Sequence, residues 1–264
     1  MSDSETTNKF SLIDLPDIPD SIDNAAKNIT DYPSKNIGTT LGDVWYLVFG
    51  GISQAASKRR MKYAEDLKKY QKELENATND IPEENKVEPS IQVTAQALEN
   101  SKYCISSEKL REMFVKLISG TMNKKLEPFV HPSFPEILKQ MSEKDALFLK
   151  VFKNTEEIPI VCIGVENEKK SYKNIAFDIC NVIPDGMNEQ ECSTSISALQ
   201  HAGLLTTTYQ QWFENTAYYE PFKDHPFYKQ LETLSPPHGM AVHLQRGKCI
   251  LTKLGKDFIH VCIE

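Results

Sequence analysis

The sequence predicts a mainly α protein: an N-terminal helical bundle that includes one long helix, followed by an α+β domain. Three observations carry this. Apolar residues recur at three- and four-residue spacing through much of the region between residues 40 and 152, cap-forming residues precede several of those runs, and β-branched runs are concentrated beyond residue 153. The chain has 264 residues, 40% apolar and 25% charged, which is a globular balance and excludes disorder throughout.

Residues 1–39 carry seven acids against three lysines, and Pro16, Pro19 and Pro33 separate the few apolar positions, so this stretch reads as an acidic, extended or partly disordered arm. A helical domain is expected over 40–141. It starts where Thr40 is followed three residues later by Asp43, a pattern that satisfies free amides at a helix start. The helical pattern runs from there to about Ala77. Its second half is close to heptad, with Tyr63, Leu67, Tyr70, Leu74 and Ala77 spaced four, three, four and three. Residues 79–89 hold two prolines and four acids and read as a connector.

Further helices follow at short spacing. Ile91, Ala95 and Leu98 mark one. Leu110, Met113, Phe114, Leu117, Ile118 and Met122 mark the next, with Lys109, Arg111, Glu112 and Lys116 assigned to its polar face. Ser133 with Glu136, and Ser142 with Asp145, each predict a capping box. The second part is expected over 142–264. It comprises a β-branched run at 158–165, a helix over 194–202 stopped by Gly203, and strands at 204–209 and 240–251, the latter broken by a turn at 245–248. A terminal helix follows from Thr252. Between the last two strands lies an insertion near 210–238 with four prolines and a short helix at 227–234.

The order helix, strand, helix, "ALQHAGLL", strand, turn, strand, "LTKLGKDFI" resembles a winged-helix domain. Nearer the N-terminus, the run "LGDVWYLVFGGISQAASKRRMKYAEDLKKY", then "IPEENKVEPSIQVTAQALENSKYCISSEKLREMFVKLISGTMN", then "VHPSFPEILKQMSEKDA", resembles the abortive-infection alpha (Abi-alpha) family, a bacterial domain of otherwise unknown function. The resemblance covers roughly residues 40–264. It implies a bacterial cytoplasmic setting and phage defence, and it brings no catalytic residues with it.

Candidate sites follow from charge and motif. The net charge of −7 gives no general attraction for polyanions. A winged helix would read DNA through cations near its recognition helix, yet residues 174–222 contain six acids and no lysine or arginine. Nucleic acid is therefore not expected on that helix, and only Arg246 and Lys248, in the expected wing, favour such contact. The strongest basic cluster is Lys58, Arg59, Arg60 and Lys62, which follows the aromatic stretch Trp45, Tyr46 and Phe49. Together they form a candidate membrane or partner surface, with core packing of the aromatics as the alternative.

No catalytic motif, cofactor loop or paired metal-ligand spacing is found, so the chain is expected to be non-enzymatic and without cofactor, metal or small-molecule ligand. His131 with Glu83, Glu84 and Glu88 is the one acid–base grouping worth locating. The six cysteines show no Cys-x-x-Cys pair, and the first ten residues do not resemble a secretory leader. The longest apolar run is nine residues, far short of the roughly 20 that span a bilayer. A cytoplasmic protein is expected, with contact at the inner membrane face left open. It would work through protein contacts or self-association along the long helix, as a phage-defence protein, a membrane-active effector or a DNA-binding regulator.

Overall fold

The computed structural model describes residues 39–49, 58–234 and 239–264. The expected acidic arm, apart from its last residue, and the pair Gly50 and Gly51 lie outside the described residues. Helix α1 spans Thr39–Phe49 and α2 spans Lys58–Asn79, with the segment between them also outside that set.

Leu41, Val44, Trp45 and Phe49 share one face of α1 and are buried. That face packs on α3 (Ile91–Ser101) and, through its rings, on Tyr70 of α2. The heptad-like seam of α2 is turned inward as well: Leu67, Tyr70 and Leu74 are buried, and the helix lies against α4 (Glu108–Thr121). Helix α4 is the hub, touching α2, α3, α5 (Phe134–Gln140) and α6 (Glu143–Leu149). Arg111, assigned by spacing to its polar face, is buried instead. Its guanidinium holds Glu73 of α2 with two bonds of 2.8 and 2.9 Å and the Ile105 carbonyl at 2.9 Å, a pairing that compensates for its lost hydration.

Ser142 and Asp145 form the expected capping box on α6. The box expected at Ser133 does not form; that hydroxyl is 2.7 Å from His131 Nδ1, and α5 relies on a proline in its first turn.

The second part is a four-stranded antiparallel sheet in the order β2-β1-β4-β3. Its strands are β1 (Glu157–Asn167), β2 (Tyr172–Cys180), β3 (Leu205–Thr208) and β4 (Met240–Leu251). Helix α7 (Glu189–His201) precedes β3, and α9 (Lys253–Cys262) follows β4 and packs on α4. The insertion holds a 3₁₀ segment, Thr216–Asp224, and α8, Pro226–Thr233.

The molecule is thus mixed α+β rather than mainly α, and two expectations are corrected. Strand β2 is absent from the sequence-based reading, because its polar and apolar residues follow no clean alternation. The turn at 245–248 does not form: β4 runs unbroken for 12 residues, with Val161 opposite Arg246 and Pro159 opposite Lys248. Gly247 turns nothing. A Cβ there would lie 2.6 Å from both the Thr208 carbonyl and the Tyr209 ring, so the glycine makes room for β3 and the residue after it.

The centre of the sheet, strand β1 above all, is buried on both faces. Ile158, Ile160, Cys180, Cys249 and Leu251 join the helical core, which runs without interruption across residue 141. On the opposite face Val161, Ile163 and Ile179 meet Tyr219 and Phe222 of the insertion, flanked by Phe213, Phe227, Tyr228 and Leu231. This double burial explains why β1 reads as one continuous apolar run.

Candidate functional site

The edge strand β2 carries exposed apolar side chains and an irregular pairing with its one neighbour, β1. Its alignment with β1 slips twice. Gly164 faces Asn174, Ile163 faces Ala176 and Val161 faces Ile179, so β2 carries an extra residue near Ile175 and another near Phe177 and Asp178. The first bulge requires Gly164, since a Cβ there would come within 2.0 Å of the Lys173 carbonyl oxygen. At the second, Asp178 has a left-handed backbone with φ of 52°.

Tyr209 holds that conformation. Its hydroxyl donates to Asp178 Oδ1 at 2.7 Å and accepts from the Asp178 N–H at 3.2 Å. Burial, then the neighbouring Cys162 and Asp178, push the Tyr209 phenol up, so it remains a donor.

The outcome is an outward-turned apolar group. Ile175 is 46% exposed and Phe177 57% exposed, and Val182 and Ile183, just beyond the strand, are exposed too. Bulges interrupt the free backbone edge, so this surface offers side chains rather than a ladder for another strand. Ser193 of α7 also reaches the Phe177 carbonyl at 3.4 Å. The other face of β2 is fastened across the sheet: Asn174 donates to Gln245 at 2.6 Å, Gln245 to the Tyr172 hydroxyl at 3.2 Å, and Tyr172 stacks on His243 with centroids 4.5 Å apart.

Charge flanks the apolar group unevenly. Lys169 and Lys173 lie on its N-terminal side and Asp185 on its C-terminal side; all three are exposed, and among the described residues none makes an ion pair. Beyond Asp185 come Glu189, 2.5 Å from His225 Nε2, and Glu191, whose carboxyl is held below the usual range first by the Asn188 N–H and then by Lys144.

The residues singled out by sequence are distributed differently. Trp45 is 1% exposed and Phe49 is fully buried, their rings 4.5 Å apart and both against Tyr70. Tyr46 is exposed, as is its neighbour Leu47. Lys58, Arg59 and Arg60 open α2, with their side chains outside the described residues, while Lys62 is exposed. Arg246 lies over the Tyr219 ring at 5.6 Å. Lys248 lies over Phe213 at 4.5 Å and pairs with Glu157 at 2.7 Å. Both cations are thus engaged by the insertion and by β1.

His131 turns to Ser133 and Glu83 to Lys86, and among the described residues no hydrogen bond or ion pair joins His131 to Glu83, Glu84 or Glu88. All six cysteines are free and buried; burial raises the thiols, Cys249 to about 12. Among the described residues no group of three or more His, Cys, Asp or Glu is placed to hold a metal ion, and no helix is long and apolar enough to cross a membrane. The exposed side chains of β2 escape sequence reading, although the acid-rich stretch that begins beside them is visible in it.

No curated protein and no solved structure shows significant similarity to the chain. The family profile for abortive infection alpha, however, matches residues 62–262, most of the chain and both of its structural parts, and the chain belongs to that family.

Proposed function

We propose that this chain serves bacterial abortive infection as a non-enzymatic cytoplasmic protein, acting through protein contacts made by the β2 edge. The family supports the abortive-infection role. The observation that carries the contact reading is the group Ile175, Phe177, Val182 and Ile183, exposed together beside a strand whose backbone edge is interrupted. Exposed apolar side chains close in sequence, with charged residues on either side, are a composition met at protein-binding surfaces.

The pairing of β1, β4 and β3, with α7 entering β3 across Gly203, supports kinship with the winged-helix plan, the insertion standing where a wing would be. The cations that would favour DNA are occupied within the fold, and the first turn of α7 is acidic, which favours a protein partner over nucleic acid.

A phage challenge tests the reading. Cells expressing the wild type should plaque poorly, and the double variant Ile175→Glu with Phe177→Glu should restore plaquing at equal protein level. Equal plaquing with and without the wild-type gene removes the defence role for the phages tried.

One observation favours a membrane-surface reading: Leu47 is 81% exposed beside Tyr46, close in sequence to the basic start of α2. Flotation with anionic liposomes tests it, and protein left at the bottom of the gradient removes it.

A further inference from the structure

We infer that the exposed lysine face of α2 is the docking surface of the chain's own acidic arm, through the carboxylates of Asp14, Asp17, Asp20 and Asp23. This contact lies apart from the β2 edge and goes beyond the reading given to it. Lys62, Lys68, Lys69 and Lys72 are exposed on α2 and, among the described residues, none of them makes an ion pair. Lys62, Lys69 and Lys72 follow one another at seven and three residues, which keeps them on one side of the helix with Lys68 beside them, away from buried Leu67, Tyr70 and Leu74. Glu65 is the one exposed acid of α2 among the described residues. Of its other acids, Asp66 is buried, Glu73 holds Arg111, and Glu75 accepts from Gln71 at 3.3 Å.

The arm supplies the missing sign in a regular pattern. Residues 10–26 carry four acids and no lysine or arginine, and the acids stand at every third position, with Pro16 and Pro19 between the first three. Prolines at that spacing favour the extended left-handed helix of three residues per turn, on which the four carboxylates return to one side about every 9 Å. Lys62 and Lys69, seven residues apart on an α-helix, are separated by about 10 Å along its axis. The two rows match in spacing as well as in sign.

The arm also reaches. It enters α1 at Thr39, and α1 lies against α2 through Trp45, Phe49 and Tyr70. From Asp23 to Thr39 the chain extends to about 50 Å, whereas the 22 residues of α2 span about 33 Å. A tether of that kind holds its ligand at about millimolar effective concentration. A separate polyanion has no such advantage, and the net charge of −7 repels it.

Carbodiimide cross-linking of the full chain, mapped by mass spectrometry, tests this, because the reagent joins a carboxylate to an amine where the two are in contact. The four aspartates should link to the four lysines of α2 in preference to the exposed Lys124, Lys125, Lys150 and Lys153. Mixing isotope-labelled with unlabelled chains should place both ends of each link in one chain. A tenfold rise in salt should cut the yield roughly fivefold, since exposed charges are screened. Asp14→Lys, Asp17→Lys, Asp20→Lys and Asp23→Lys together should abolish the links. Adding Lys62→Glu, Lys68→Glu, Lys69→Glu and Lys72→Glu should restore them in the reversed sense. The substituted positions of α2 are exposed, and circular dichroism checks that the variants are folded.

Links spread evenly over the exposed lysines overturn the inference, as do links that join two chains or a charge swap that restores none. Lysines of α2 that stay unlinked in the protein alone, and become shielded from acetylation when anionic liposomes are added, assign the face to a bilayer and likewise overturn it.

Discussion

Trp45 and Tyr46 are adjacent, aromatic and indistinguishable by composition, yet the fold assigns them opposite roles. Trp45 is enclosed by Phe49 and Tyr70, whereas Tyr46 faces solvent. Replacing Trp45 with alanine should cost about 3–5 kcal/mol of stability by leaving a cavity, and Tyr46→Ala should stay within about 0.5 kcal/mol. Urea unfolding of the two variants measures the contrast. A membrane role for Trp45 would require taking the core apart, so any interfacial contact falls to Tyr46 and Leu47. Arg111 makes the same point from the polar side: spacing alone puts it in solvent, and Glu73, 38 residues earlier, draws it inside.

Elements are legible where their causes are local. The apolar spacing of α1 to α4, the serine cap of α6 and the left-handed Gly203 after α7, with φ of 76°, all depend on residues a few positions apart. The two serine caps separate a signal from its use. Ser142→Ala should destabilise the protein by about 1 kcal/mol, since its hydroxyl accepts the Asp145 N–H at 3.2 Å. Ser133→Ala, which breaks no cap bond, should cost less, and chemical denaturation compares them directly. Strands are harder. β1 announces itself because both of its faces are apolar, but β2 is an edge strand with two bulges, and its alternation is lost where the extra residues enter.

At the scale of the whole molecule, one core joins helices and sheet, and several ionisable groups are buried in it or half-buried against it. Burial, then Tyr103 and Glu99, raise Tyr63 from 10 to about 12, and burial raises Cys249 from 9 to about 12. These groups stay protonated in the folded chain while the unfolded chain already releases the proton. Stability is therefore fully present below about pH 9 and should fall as pH rises from there through about 12. Alkaline titration followed by circular dichroism should show this loss, and Tyr63→Phe should make it shallower. A curve unchanged in Tyr63→Phe would mean that this phenol is not held protonated by the fold.

The sequence by itself determined the helical half, the buried strand β1, the insertion and the local acidity of residues 174–222, because periodicity, capping and charge act over a few residues. Only the tertiary structure decided that 245–248 stays straight, that Arg246 and Lys248 are occupied by the insertion's rings, and that Ile175 and Phe177 face outward. Each of these depends on pairing between segments tens of residues apart. Gly247 makes room for a tyrosine from β3's end, and Gly164 makes room for the displaced backbone of β2. A glycine in isolation reads as a turn; which chain passes over it is settled only when the strands meet.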